Sequence, residues 1–91
     1  MNEQPILIQL GKGAYVDRIR ILAVIDASKP SVPLVKYRQK MFIENKVVDV
    51  TKGRAVKAYV LTDSNHLFLC SFRAQTIKDN FAGSNNAKRK I

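Results

Sequence analysis

The chemistry open to this chain lies in its positive charge. Lys and Arg number 16 against 7 Asp and Glu, a formal net charge of +9 on 91 residues. Such an excess on a small body favours polyanionic partners: DNA, RNA or anionic lipid. Lys36, Arg38, Lys40, Lys46, Lys52, Arg54 and Lys57 fall in one span, opposed only by Glu44 and Asp49, a net of +5 from seven minus two. Lys52-Gly53-Arg54 is its sharpest part. A glycine between two cations at a tight turn lets backbone approach a phosphate, and the guanidinium can then grip it. The plainer alternative is a solvated turn that is merely basic. Arg18 and Arg20 alternate with Ile19 and Ile21. On a strand both arginines face one side, either as a contact row or as charges guarding an edge. Lys88-Arg89-Lys90 near the C-terminus adds non-specific attraction.

Catalytic arrangements find little material. One His and one Cys do not make a zinc site. Cys70 sits in the apolar run LFLCSF and reads as structural, because a reactive thiolate needs a partly exposed, electropositive setting. His66 follows a polar turn and reads as a turn residue. Gly11-Lys12-Gly13 is too short a signal for a phosphate cradle, and no nucleotide-binding fingerprint occurs. No paired general acid and base can be assembled. The expectation is a protein that is no enzyme, with no cofactor, metal or small-molecule substrate. A lone cysteine excludes an intramolecular disulfide framework and suits a reducing cytoplasm. The opening Met-Asn-Glu-Gln-Pro lacks a basic targeting region. The longest apolar stretch, Ile21 to Ile25, is far short of the ~20 residues needed to span a bilayer, so no membrane partner is expected.

The elements that must position the basic residues follow from periodicity. Pro5 to Leu10 is a short apolar run that ends at the Gly11-Lys12-Gly13 turn. Ala14 to Asp26 reads as one strand, bent at most, with a buried second half. Two prolines make Ala27 to Pro33 a loop, and Ser31 or Pro33 opens a helix. Leu34, Tyr37 and Met41 then share one face of that helix over Leu34 to Lys46, widened by Val35 and Phe42. Val47 to Val50 is a short strand. Ala55 to Leu61 and Leu67 to Phe72 enclose Asp63-Ser64-Asn65-His66 as a hairpin. Ala74 to Phe81 suits a short terminal helix. The order β-β-α-β-β-β-α predicts an α+β domain over 1–81, built on a small antiparallel sheet. It has one main helix after the second strand and a short C-terminal helix. A flexible basic tail is expected over 82–91.

The hairpin strands are apolar on both faces. Val56, Ala58 and Val60 alternate with Tyr59 and Leu61, and Leu67 and Leu69 alternate with Phe68, Cys70 and Phe72. One helix covers one face. The other is therefore expected at a subunit interface, with Phe68 or Phe72 at or near it. The tyrosines Tyr15, Tyr37 and Tyr59 do not interleave with the basic residues as a stacking sheet requires. An RNA-binding module using Tyr59, Phe68 and Phe72 stays open as an alternative, as does an oligomeric scaffold whose basic face is incidental.

The order of these residues resembles the RemA family, small bacterial regulators of extracellular-matrix and biofilm genes. Gly11-Lys12-Gly13 with Val16 and Arg20 is similar to the family's opening G-x-G…V…R. Ser31-Val32-Pro33-Leu34 is similar to S-A-P-I, and Val47 through Arg54 to L-I-D-A-T-x-G-R. Ala58 through Leu69, AYVLTDSNHLFL, resembles R-A-V-I-I-T-D-S-x-H-V-I-L, and Ala74-Gln75-Thr76-Ile77 resembles P-E-T-I. The likeness covers about residues 6–80. The second arginine that often follows G-R is Ala55 here, and the arginine before the A-V-I-I strand is Lys57. The loop before Ser31 is about two residues longer. The resemblance implies a LytTR-like, mainly β fold and a ring-shaped homo-oligomer with arginines on its outer rim. It also implies a cytoplasmic, nucleoid-associated regulator that binds duplex DNA to control transcription or shape DNA. Together with the charge pattern it singles out Arg20, Lys52, Arg54 and Lys57 as contacts, with Arg18, Lys36, Arg38 and Lys40 as secondary ones.

Overall fold

The structure, a computed structural model, describes residues 6–29 and 31–81. The expected basic tail over 82–91 and the opening five residues lie outside the described residues. The architecture is α+β: six strands in two sheets, with one helix after the third strand and one at 74–81.

Strands β1 (Leu7–Gly11) and β2 (Ala14–Asp17) form an antiparallel hairpin around Lys12-Gly13. Gly13 takes φ +73, which a residue with a Cβ rarely adopts. The expected continuous strand from Ala14 to Asp26 is broken. Arg18–Arg20 form a 3-10 turn, capped where the Asp17 carboxylate accepts from the Ile19 N–H at 3.2 Å. A short acceptor placed two residues before a backbone donor competes locally with the strand ladder. The chain resumes as β3 (Ile21–Asp26). This break is why the main helix follows the third strand and not the second.

The larger sheet has the order β3-β5-β6-β4, with β5 at Ala58–Thr62, β6 at Leu67–Cys70 and β4 at Val47–Asp49. The β5–β6 hairpin is its centre, closed by the turn expected at Asp63 to His66. That turn is fastened by Thr62 N–H to His66 O at 3.2 Å, and Ser64 Oγ lies 2.8 Å from Thr62 Oγ1 and 2.9 Å from His66 Nδ1. The sheet is not wholly antiparallel, because β4 runs parallel to β6. The cause is the connection. Helix α1 (Val32–Ile43) carries the chain back along one face between β3 and β4. A helical crossover of this kind sets its two strands parallel. Ser31 is the N-cap, its Oγ accepting from Leu34 N–H at 3.3 Å, and Pro33 sits in the first turn where no donor is missed.

Each sheet face has its own core. Met41, Tyr59 and Leu67 are buried on the α1 face, with Leu34 and Tyr37 of the helix packed against them. Val35 is half-buried, but Phe42, expected to widen that face, points outward at 73% exposure. On the other face Ala58, Val60 and Cys70 are buried with Ile8 and Leu10 of β1 and Ala74 and Ile77 of helix 74–81. This face is therefore covered within the chain, and Phe68 and Phe72 pack partly buried against that cluster. The premise that one face is left bare for a second subunit is corrected: the first hairpin and the last helix close it. Val56, grouped by alternation with Ala58 and Val60, packs instead with the α1-side cluster, because the strand begins only at Ala58.

At Gly11 the hairpin lies close against the chain at the end of the larger sheet. A Cβ there would stand 2.8 Å from Ser71 Oγ and 3.1 Å from the Val50 carbonyl. Gly11→Ala should therefore destabilise by about 1–3 kcal/mol, the cost of overpacking against backbone. Denaturant unfolding reads this directly; an unchanged midpoint would show that the two layers separate freely.

Candidate nucleic-acid interface

The basic turn begins where β4 ends. Val50 N–H donates to Leu69 O of β6 at 3.1 Å, and the chain then turns away from β6. One carboxylate fixes its direction. Asp49 Oδ1 accepts from the Thr51 N–H at 2.9 Å and from the Thr51 hydroxyl at 2.6 Å. Thr51 itself is buried. These bonds, the hydroxyl first, hold the Asp49 carboxyl below the usual carboxylate range. Their contribution is present above that range and is lost as pH falls through the lowered value.

Beyond Thr51 the chain doubles back. Lys52 and Gly53 take φ of +55 and +83, and Arg54 N–H returns to Thr51 O at 3.1 Å. Lys52 is a non-glycine residue in the left-handed region, a conformation that costs about a kcal/mol or more and is held by the surrounding bonds. The turn thus presents Lys52, Gly53 and Arg54 exposed on a fixed base. Lys57, also exposed, sits at the same end of the sheet, with its N–H on Cys70 O at 2.8 Å and its carbonyl receiving Ala27 N–H at 3.1 Å. Among the described residues no carboxylate lies within ion-pair distance of Lys52, Arg54 or Lys57.

Arg20 is elsewhere. Ile21 pairs with Thr62, at the far end of β5 from Lys57. Five residues of strand, at about 3.3 Å each, put roughly 16 Å between the two ends. The expectation that Arg20 stands beside the Lys52–Lys57 turn is therefore corrected within one protomer. Its guanidinium instead meets Asp63 Oδ1 at 3.3 Å, and Asp63 N–H donates to Arg20 O at 2.9 Å. Arg18 and Arg20 do not share a strand face either. On a 3-10 turn residues two apart point about 120° apart, and Arg18 is half-buried with an interaction of its own. Lys36, Arg38 and Lys40 are exposed on α1. Arg38 borders a groove of about 450 Å³ with Phe42, Ile43, Val47 and Leu69.

Gly11-Lys12-Gly13, too short a motif to mark a phosphate cradle in the sequence, does come to the basic turn. A Cβ on Gly13 would stand 3.1 Å from Lys52 Nζ, so the β1–β2 turn lies against the basic turn. Asp49 and Thr51 were unmarked as the residues that aim the turn. An Asp two residues before a Thr, at a strand end, is the pattern that would have marked them.

Other candidate groups are spoken for. Burial pushes the Cys70 thiol up to about 12, far from thiolate chemistry. Tyr59 is 8% exposed and so is not a stacking surface for bases. Among the described residues no three His, Cys, Asp or Glu side chains gather as a metal site, and no helix is long and apolar enough to cross a membrane.

Comparison with known proteins identifies the family. The RemA-like family, described as extracellular matrix regulatory protein A-like, matches residues 7–81. The chain belongs to the RemA-like family. A relative from Nitratidesulfovibrio vulgaris, provisionally named a regulatory protein, is 35% identical over 71 residues, covering 78% of each chain. One of the same name from Thermotoga neapolitana is 33% identical over 75 residues, 82% of this chain and 79% of its own. Another, from Oleidesulfovibrio alaskensis, is 30% identical over 81 residues, covering 89% and 94%. The RemA-like match takes in every element described and the whole of the Val50–Lys57 segment.

Proposed function

We propose that this RemA-like protein is a homo-oligomeric regulator that binds duplex DNA, controlling transcription of matrix-type genes or shaping the DNA itself. The observation that carries the reading is the Lys52–Lys57 segment: two exposed cations on a turn fixed by Asp49 and Thr51 and a third, Lys57, at the same end of the sheet, with no carboxylate partner among the described residues. Backbone phosphates are the anions such a turn suits, with the Arg54 fork taking two phosphate oxygens and the lysines acting as point charges. Arg20 is a separate contact one strand length away, its charge already shared with Asp63. Arg18, Lys36, Arg38 and Lys40 contribute field more than fit.

Assembly follows from the weakness of a single basic turn. Several copies on one duplex multiply weak contacts through effective concentration. The surface for it includes Phe42 and Ile43, exposed at 73% and 81% beside the groove at β4. Phe68 and Phe72, packed on the inner cluster, contribute at most their remaining exposed edges.

The test is titration of the full chain with labelled duplex DNA at several salt concentrations, with single-stranded RNA as competitor. Binding that weakens with a log–log slope of about −0.9 per phosphate contacted supports the reading. Absence of duplex binding at low salt, or preference for the RNA, overturns it.

A further inference from the structure

We propose that the Lys12-Gly13 turn of the first hairpin is part of the same DNA-contacting surface, so that Lys12 and Lys52 hold the phosphate backbone jointly across Gly13. The inference rests on the DNA-binding reading above and adds a contact from a separate sheet.

The geometry supplies the argument. The Lys52 side chain does not extend into solvent away from the body of the protein. Its ammonium lies over Gly13, 3.1 Å from where a Cβ would be. That position brings it to the turn that carries a second cation, Lys12, next in the chain. Lys12, Gly13, Lys52 and Gly53 are all exposed. No carboxylate among the described residues is within ion-pair distance of either lysine, and no hydrogen bond from either ammonium occurs among them. Two cationic turns brought together without a counter-charge repel one another. A bound anion removes that repulsion, and an extended polyanion can do so while also meeting Arg54.

Gly13 is the residue that permits this arrangement. Its φ of +73 favours glycine, and a Cβ there would crowd the Lys52 ammonium at 3.1 Å. Gly53, at φ +83, has nothing within 4 Å of the place a Cβ would occupy, so the second turn is open on its outer side. The Lys52 ammonium therefore lies at the first turn, and both turns are exposed. Gly11, two residues earlier, is pressed against the Val50 carbonyl and locks the spacing of the hairpin to the basic turn. The contact is therefore built into the packing of the two sheets.

The experiment measures duplex affinity against salt for the full chain and for Lys12→Ala, Lys52→Ala and the double variant. Lys12 is exposed, so its truncation should leave the fold intact; circular dichroism and melting temperature check this. The expected result is a loss of about threefold to fivefold for Lys12→Ala at low salt, the scale of one exposed charged contact. The salt slope should fall by about 0.9. The double variant should lose less than the product of the two single losses, because the pair shares one stretch of backbone. Wild-type affinity and slope in Lys12→Ala, beside a weakened Arg54→Ala, would overturn this inference and leave the DNA-binding reading standing. Absence of duplex binding by the unaltered chain would overturn both.

Discussion

Replacing Arg54 by alanine should lower duplex affinity by about tenfold to a hundredfold while leaving the fold unchanged. The size follows from the bond expected there, because a charge-assisted hydrogen bond contributes about 1.5–3 kcal/mol net. The fold is spared because the guanidinium supports nothing else. Arg54 is exposed and unpaired among the described residues, and its structural bond is the backbone N–H to Thr51 O, which alanine keeps. Arg54→Lys sharpens the result. It retains the charge and loses the two-pronged geometry, so it should fall between wild type and alanine. Anisotropy titration with melting curves on the same samples decides it. An alanine variant with wild-type affinity would remove Arg54 from the interface.

The largest stability effect should come from Leu67→Ala. Leu67 is 0% exposed at the start of β6, packed in the cluster with Met41 and Tyr59, and its N–H donates to Lys46 O at 2.9 Å. The substitution removes its side-chain contacts and leaves a hole beneath α1. Such changes cost about 2–5 kcal/mol. A domain of this length has only about 5–13 kcal/mol in total. A loss of about 3 kcal/mol should lower the melting temperature by roughly 10–25 °C. Val32→Ala is the control. Val32 is 68% exposed at the first position of the same helix, and its truncation should shift stability by less than about 0.5 kcal/mol. Equal effects from the two would mean that α1 does not pack on the sheet as described.

The central hairpin was legible in the sequence because its strands alternate two apolar sets, and each set found its own core on its own face. The helix was legible from Ser31, Pro33 and the Leu34-Tyr37-Met41 spacing. The break at Arg18–Arg20 was not, since Ala14 to Asp26 keeps a strand-like composition throughout and one carboxylate, that of Asp17, makes the interruption. The parallel placement of β4 was hidden for another reason. Val47 pairs with Leu67, twenty positions on, and no local pattern in a three-residue strand announces such a partner. Coverage of the second face was missed because Ile8 and Leu10 reach it from the other end of the chain. In the interface, the Lys52-Gly53-Arg54 turn could be read from residue types alone. Which basic residues it joins could not. Arg20 lies at the far end of β5, which depends on strand register, and the Lys12-Gly13 turn lies against Lys52, which depends on how the two sheets pack.

The order of strands in the larger sheet also sets a timetable for folding. Strands β3 and β4 lie on its two edges and never touch, while the strands that separate them come later in the chain. Neither edge strand has its partner, β5 for β3 and β6 for β4, until that later part of the chain is made. The β5–β6 pairing is local, across a short turn, and hairpins of this kind form in about 1–10 μs. The edges must then be gathered over long loops, which is the slow, non-local part of the search. On the ribosome, where synthesis proceeds at about 5–20 residues per second, β3 and α1 wait for seconds before their partner strands emerge. The β5–β6 hairpin is accordingly expected to be the folding nucleus. Substitutions such as Val60→Ala should slow folding, whereas those in β1 should mainly speed unfolding.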